Sequence, residues 1–358
     1  MRAVRLARAR IHTSGGLLHI TDDAVRLLLS TGEAREVQRA AFAASAQDGM
    51  VNAPPRIIID APEHEGCTLF KPASITRCDG GVDLAIKVIA VRPHNSTRTP
   101  AMATGPATVL VLDEVTGAVA AVVDGTFLTA QRTAAGSAVA TSLQRSAMLP
   151  APSTLVVFGA GLQAEAHVDA LLDLHDTIDD VVVVNRSAPR AEALLAGESC
   201  SRLRVGAFVP STDHTAVANA VARADIVVTA TNATVPHFDG RVLKRGAHII
   251  AVGAFTPAMN ELDAACVSRC AIVVDTPEAW ETGDLAQLGG ERRAAVDCGT
   301  LGELIRAEGS APRSNSRSNT GDIDCTLFKS VGVAFQDVAA GAAVVRAHQH
   351  QRRERREA

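Results

Sequence analysis

Residues 154–166 read T-L-V-V-F-G-A-G-L-Q-A-E-A, and V-V-V-V-N-R-S follows at 181–187. No other stretch restricts the available folds so strongly. The apolar run Leu155–Phe158 reads as a buried strand, it leads straight into Gly159-Ala160-Gly161, and the pattern predicts a helix from Gln163. Gly159 permits a tight turn. Gly161 lets the backbone approach a pyrophosphate, which then lies against the free N–H groups of the helix start at Leu162 and Gln163. Ala164 supplies the third small residue, for helix–strand packing. A second strand, Val181–Val184, ends where such folds read the adenosine ribose. An acid there would accept from the 2′-hydroxyl of NAD. Asn185-Arg186-Ser187 instead offers a guanidinium and two neutral polar groups, which suit a 2′-phosphate. The expectation is NADP(H), with NADH as the lesser alternative. A glycine turn alone is a weak signal; the strand before it, the helix after it and the second strand make it specific.

At 358 residues the chain is long enough for two domains. A formal charge of −4, no Tyr and one Trp give no reason to expect a nucleic-acid partner, and no apolar run is long enough to span a bilayer as a helix. The seven Cys are scattered without C-x-x-C pairs, and no His/Cys spacing suggests a metal. They read as reduced thiols, consistent with a cytoplasmic protein. The opening M-R-A-V-R-L-A-R-A-R-I has four Arg and no acid, yet is short and poor in Ser for a transit peptide, so it reads as an extension, with mitochondrial targeting the alternative.

Along the chain, a short strand at Gly16–Ile20 precedes a cap at Thr21-Asp22-Asp23 and one helix over Ala24–Ala46. Beyond Pro54-Pro55 come strands at Arg56–Asp60, Cys67–Phe70, Leu84–Val91, Ala107–Asp113 and Ala118–Val123, the last two joined by a hairpin turn at Asp113–Gly117. This is an α+β pattern. A helix rich in Ala and Thr follows at Thr129–Gln144. From Thr154 strands and helices alternate as in a doubly wound, Rossmann-type α/β sheet. A polar stretch, Ala311–Gly321, precedes a strand at Cys325–Phe328 and a helix at Val333–Val345, both expected to return to the first domain. The expected division is therefore 1–130 with 322–348 as the α+β domain, 131–321 as the dinucleotide domain, and 349–358 as a charged, solvated helix end.

A hydride-transfer enzyme must hold its substrate carbon over the nicotinamide, and small acids are usually held by their carboxylate. Three cations of the first domain are candidates. Arg56 opens a strand after Pro54-Pro55. Lys87 lies inside L-A-I-K-V-I, where a charge is costly without a partner. Arg132 begins the Ala-rich segment R-T-A-A-G.

The chain resembles the ornithine cyclodeaminase/mu-crystallin family. The resemblance rests on P-P-R at 54–56, A-I-K-V at 85–88, G-T-F-L-T-A-Q-R-T-A-A-G-S-A-V-A-T at 125–141, G-A-G-L-Q-A at 159–164, N-R-S at 185–187, G-A-H-I-I-A-V-G at 246–253 and F-K-S-V-G-V-A-F-Q-D at 328–337. It implies a homodimer whose first domain supplies both the dimer interface and the substrate pocket. It also implies that Arg56, Lys87 and Arg132 grip a substrate carboxylate. Cofactor contacts are implied at Thr104, Gln163, Thr231, Val252 and Ser330, with Ser330 and Val331 near the nicotinamide and Val331 on the substrate side. Cyclodeaminases of this family carry an acid–base Asp shortly after the V-G of the fifth strand. Here V-G-A-F-T-P puts Phe255 at that position. A phenyl ring cannot take a proton or pair with an ammonium. Reduction of a cyclic imine needs positioning more than a strong base. The expectation is an NADPH-dependent reductase of a cyclic ketimine carboxylate, yielding a cyclic amino acid, with Lys87 or a water as the proton source. Ornithine cyclodeaminase activity is one alternative, and an NADPH-dependent binding protein for a small, thyroid-hormone-like ligand is another. Glu261, in N-E-L-D, is expected to be structural.

Overall fold

The computed structural model describes residues 11–14, 17–145, 149–308 and 323–357. The Arg-rich stretch before Ile11 and the polar stretch 311–321 lie outside the described residues. The chain divides into two compact units, one of residues 1–132 and 333–358, the other of residues 133–332.

The first unit holds strands β1 (Ile11–Ser14), β2 (Leu17–Ile20), β3 (Val51–Asn52), β4 (Ile57–Ala61), β5 (Gly66–Thr76), β6 (Val82–Val91), β7 (Ala107–Leu112) and β8 (Val119–Asp124). They form one sheet in the order β1-β2-β8-β7-β6-β5-β3, with β4 also on β5. All pairs are antiparallel except β2 with β8. The β7–β8 hairpin turns where expected, with Gly117 at φ 71° and Asp113 N–H donating to the Ala118 carbonyl. Burial alternates along β5 and β6, and the helix Ala334–Glu357 packs on the buried face. Val109 Cγ1 lies 3.1 Å from where a Cβ on Gly341 would stand, so the helix and sheet meet closely there and an added methyl would need Val109 to give by a few tenths of an ångström.

The single helix expected over Ala24–Ala46 is two, Asp22–Leu28 and Thr31–Ser45. Ser30 breaks the run with a capping box. Its hydroxyl accepts from Glu33 N–H while the Glu33 carboxylate accepts from Ser30 N–H, so a fresh helix start is more stable there than continuation. The Ala-rich helix starts at Gly125, four residues before the expected Thr129, and the chain passes from the first unit to the second within it.

The second unit is built on β9 (Thr154–Phe158), β10 (Asp180–Asn185), β11 (Val205–Pro210), β12 (Ile226–Thr229), β13 (His248–Ala251), β14 (Cys270–Val274), β15 (Asp297–Thr300) and β16 (Cys325–Lys329). The sheet is parallel throughout, in the order β11-β10-β9-β12-β13-β16-β14-β15. Its β9 is flanked by β10 and β12, so the strand order reverses there, which is the crevice where doubly wound folds bind ligands. Alternate residues of β9 enter two separate apolar cores, Val156 and Phe158 on one face and Leu155 and Val157 on the other. Burial on both faces explains why its sequence is a continuous apolar run.

One expectation fails here. Strand β16 does not return to the first domain; it lies inside the parallel sheet between β13 and β14, with four of its five residues buried. Only the helix from Ala334 returns. The dinucleotide unit accordingly extends to Gly332, not 321, and the expected charged tail is the continuing end of that helix.

Candidate active site: a dinucleotide cradle and a buried cation cluster

In the second unit the glycine turn has the geometry its residues demand. Gly159 has φ 105°, and a Cβ there would stand 2.6 Å from the Ala230 carbonyl oxygen. The helix Leu162–Leu174 begins immediately after Gly161. A Cβ on Gly161 would meet nothing within 4 Å, so the backbone faces open space. The first N–H groups of a helix have no intrahelical partner, and the helix end carries a partial positive charge. Among the described residues Gln163 Oε1 is buried with no hydrogen-bond partner. An open backbone and unpaired N–H donors at one helix start fit a dinucleotide pyrophosphate, whereas the orphaned Gln163 oxygen needs a donor and suits a hydroxyl or amide of the ligand rather than its phosphates. At the end of β10, Asn185 Nδ2 donates to the Ser187 carbonyl at 2.9 Å and shapes the turn, leaving Arg186 exposed with no ion pair among the described residues.

Beyond β12 and β13 a buried carboxylate organises the crevice. Glu261 accepts from Thr229 and Thr231 hydroxyls at 3.0 and 2.7 Å and from the N–H groups of Thr231, Gly253 and Ala254 at 2.7, 2.8 and 3.1 Å. The structural role expected of Glu261 is the observed one. Gly253 fits this close meeting of loops because a Cβ would stand 2.1 Å from the Thr231 carbonyl oxygen. Behind it, Lys329 Nζ donates to Asp284 and to the Ala254 carbonyl, both at 2.6 Å, and Asp284 accepts from the Glu261 and Leu262 N–H groups. Thr231 and Val252 thus sit on braced loops, and Phe255 follows the held Ala254, partly buried. His237 stacks on Phe158 and meets Thr231 Oγ1 at 2.7 Å; burial holds its ring below the ordinary histidine range, against the pull of Glu261. Asp275 was not anticipated. Its Oδ2 accepts from Ser330 Oγ at 2.7 Å and from the N–H groups of Val331 and Gly332 at 2.9 and 2.7 Å, fixing the segment that includes both sequence-predicted residues.

In the first unit the charge argument for Lys87 finds its partner. Lys87 and Arg132 are 1% and 3% exposed, and both donate to Asp337 Oδ1, at 2.7 and 2.8 Å. Arg132 also donates to Gln336 Oε1 at 2.7 Å, and Lys87 to Thr129 Oγ1 at 3.4 Å. Burial, and next the charge of Arg132, hold Lys87 well below the ordinary lysine range, while Asp337 pulls the other way. Burial would raise the Asp337 carboxyl, but Arg132, Lys87 and Lys71 outweigh it and keep it below the ordinary carboxylate range. Sequence reading missed Asp337 and Lys71. The signal was available, since an acid in V-A-F-Q-D-V-A-A and a lysine between Phe70 and Pro72 break apolar runs as Lys87 does. Not all the predicted residues join the cluster. Arg56, partly exposed just before β4, makes no hydrogen bond to Asp337 or its two cations among the described residues. Thr104 is exposed in the first unit, its carbonyl accepting from Arg92 N–H, and so does not share a unit with the glycine turn.

The geometry has close counterparts. Residues 19–352 match the ornithine cyclodeaminase/mu-crystallin family. The ketimine reductase mu-crystallin of Mus musculus is 33% identical over 300 residues, covering 83% of this chain and 85% of that protein. A delta(1)-pyrroline-2-carboxylate reductase of Bacillus thuringiensis subsp. konkukian is 35% identical over 261 residues, covering 71% and 74%. Among solved structures, the delta(1)-pyrroline-2-carboxylate reductase of Thermococcus litoralis in complex with NADH and L-proline superposes with a TM-score of 0.79 at 26% identity, covering 93% of this chain and 98% of that one. The chain belongs to the ornithine cyclodeaminase/mu-crystallin family.

Proposed function

We propose that the protein is an NAD(P)H-dependent reductase of cyclic ketimine carboxylates, such as pyrroline- or piperideine-2-carboxylate, giving the cyclic amino acids proline or pipecolate. The observation that carries this is the pairing of two buried cations, Lys87 and Arg132, with the absence of an acid at Phe255. The cations suit a substrate carboxylate, and Phe255 removes the group an ornithine deamination would need. Relatives named for reduction of just such imines support the reading. A bound nicotinamide dinucleotide supplies the hydride. The chain's part is to grip the carboxylate, hold the ring carbon in place and exclude water, which is where most of the rate of such a reaction originates. Gly159, Gly161, Leu162 and Gln163 would hold the pyrophosphate, and Asn185, Arg186 and Ser187 the 2′-phosphate of NADPH; Thr231, Val252 and Ser330 would line the remainder, and Val331 the substrate side.

The working form is a homodimer. Ile57, Ile58 and Ile59 are 59%, 53% and 55% exposed on β4, which pairs only with β5 among the described strands. Successive residues point to opposite faces, so both sides of this edge are apolar, a feature monomers avoid. The proposed location is the cytoplasm. The reading is tested by mixing the protein with NADPH and each cyclic imine and following loss of nicotinamide absorbance. Turnover is expected with at least one ring size, and none with any would refute it.

A further inference from the structure

The two oxygens of Asp337 are treated unequally. Oδ1 accepts from both Lys87 and Arg132, whereas Oδ2 is buried with no hydrogen-bond partner among the described residues. A buried carboxylate oxygen left unpaired costs roughly 1–3 kcal/mol or more, and native proteins keep such an atom where a further group satisfies it. The rest of the cluster indicates which group. Lys71 stands opposite Lys87 in the register of β5 and β6, is 6% exposed, and its charge acts on both Lys87 and Asp337. Arg132 and Lys87 both meet this one carboxylate through Oδ1, and beside the two cations lies an oxygen in need of a donor. A protonated α-imino acid has the complementary pattern, a carboxylate on the very carbon that is double-bonded to a charged N–H.

We propose that Asp337 Oδ2 accepts the hydrogen bond from the ring N–H of the substrate while Arg132 and Lys87 take its carboxylate, which makes Asp337 a catalytic residue. This rests on the imine-reductase reading. Hydride adds to the ring carbon, the C=N π pair moves onto nitrogen, and the nitrogen keeps its proton as it becomes a neutral amine. Asp337 stays ionised throughout, and the amine takes its second proton from water after reduction. The carboxylate favours the protonated imine, the form that accepts hydride, over the neutral one.

The test compares L-proline with cyclopentanecarboxylate, which has the same ring and carboxylate but no nitrogen, binding to protein saturated with NADPH. The wild type is expected to prefer proline by about tenfold or more, and Asp337→Asn to lose that preference while keeping its affinity for cyclopentanecarboxylate within a few-fold. No preference in the wild type, or an undiminished preference in the variant, overturns the proposal. Because Asp337→Asn could fail to fold, a second measurement uses the wild type alone. The alkaline limb of the kcat profile should lie at higher pH than that of kcat/KM, since the bound imine is held protonated. Coincident limbs overturn the proposal. A proline preference abolished by Asp337→Asn without turnover of any imine would support the contact and remove the reductase reading, so the two fail separately.

Discussion

Arg186 stands exposed after β10 with no acidic neighbour in its turn, the position that decides between the two dinucleotides. Arg186→Asp should weaken NADPH by roughly ten- to a hundred-fold while leaving NADH nearly unchanged, because it sets a like charge against the 2′-phosphate. Equal losses for both cofactors, measured as kcat/KM or by direct binding, would show that Arg186 does not read the phosphate. This residue was legible in the sequence because the ribose position lies at a fixed place after the glycine turn. Lys87 was legible for a different reason, as a charge inside an apolar strand. Asp337, its partner 250 residues away, was not legible as such. Nothing local says which buried cation an acid will meet, and the same holds for Lys329 with Asp284.

At the scale of elements, two buried histidines tie the Ala-rich helix to the rest of the second unit. His167, on the helix after the glycine turn, lies 3.0 Å from Ser137 Oγ and donates through Nδ1 to the Gln163 carbonyl. His248, opening β13, sits between the hydroxyls of Thr141 and Thr326. Burial pushes the two rings down from 6.5 to about 4 and about 3. The folded state therefore binds these protons less readily than the unfolded one, so the stability is present above pH 6.5 and is lost as pH falls toward those values. Between about pH 6.5 and 5 each ring should cost up to about 1.4 kcal/mol per pH unit. Denaturant titrations should show this slope, and His248→Gln should reduce it; an unchanged slope in the variant would contradict the assignment. Strand and helix types were legible from periodicity as far as β14, whereas the short strand β15 and the helices Gly290–Val296 and Leu301–Ala307 beside it were not. The position of β16 was not, because strand order is set by which apolar faces remain uncovered, a property of the assembled sheet. The two-helix start was missed because an unbroken apolar pattern masked the S-x-x-E signal at Ser30 and Glu33.

For the whole molecule, the apolar edge at Ile57–Ile59 and the choice of reaction remain to be measured. Ile58→Lys should convert a dimer to a monomer in sedimentation, because a charge on an edge strand blocks pairing. A dimeric variant, or a monomeric wild type, would remove the edge as an interface. Neither the three isoleucines nor Phe255 is dictated by the fold, and the family holds both reductases and cyclodeaminases. In the proposed reaction this chain consumes the cofactor as a hydride donor. The most direct test supplies the protein with NADPH and pyrroline-2-carboxylate in one vessel and with NAD and ornithine in another, and quantifies proline, ammonia and oxidised cofactor in each. Proline matched mole for mole by oxidised NADPH is expected in the first, and no ammonia in the second. Ammonia and proline from ornithine without net change in cofactor, and no reduction of the imine, would contradict the proposed reaction.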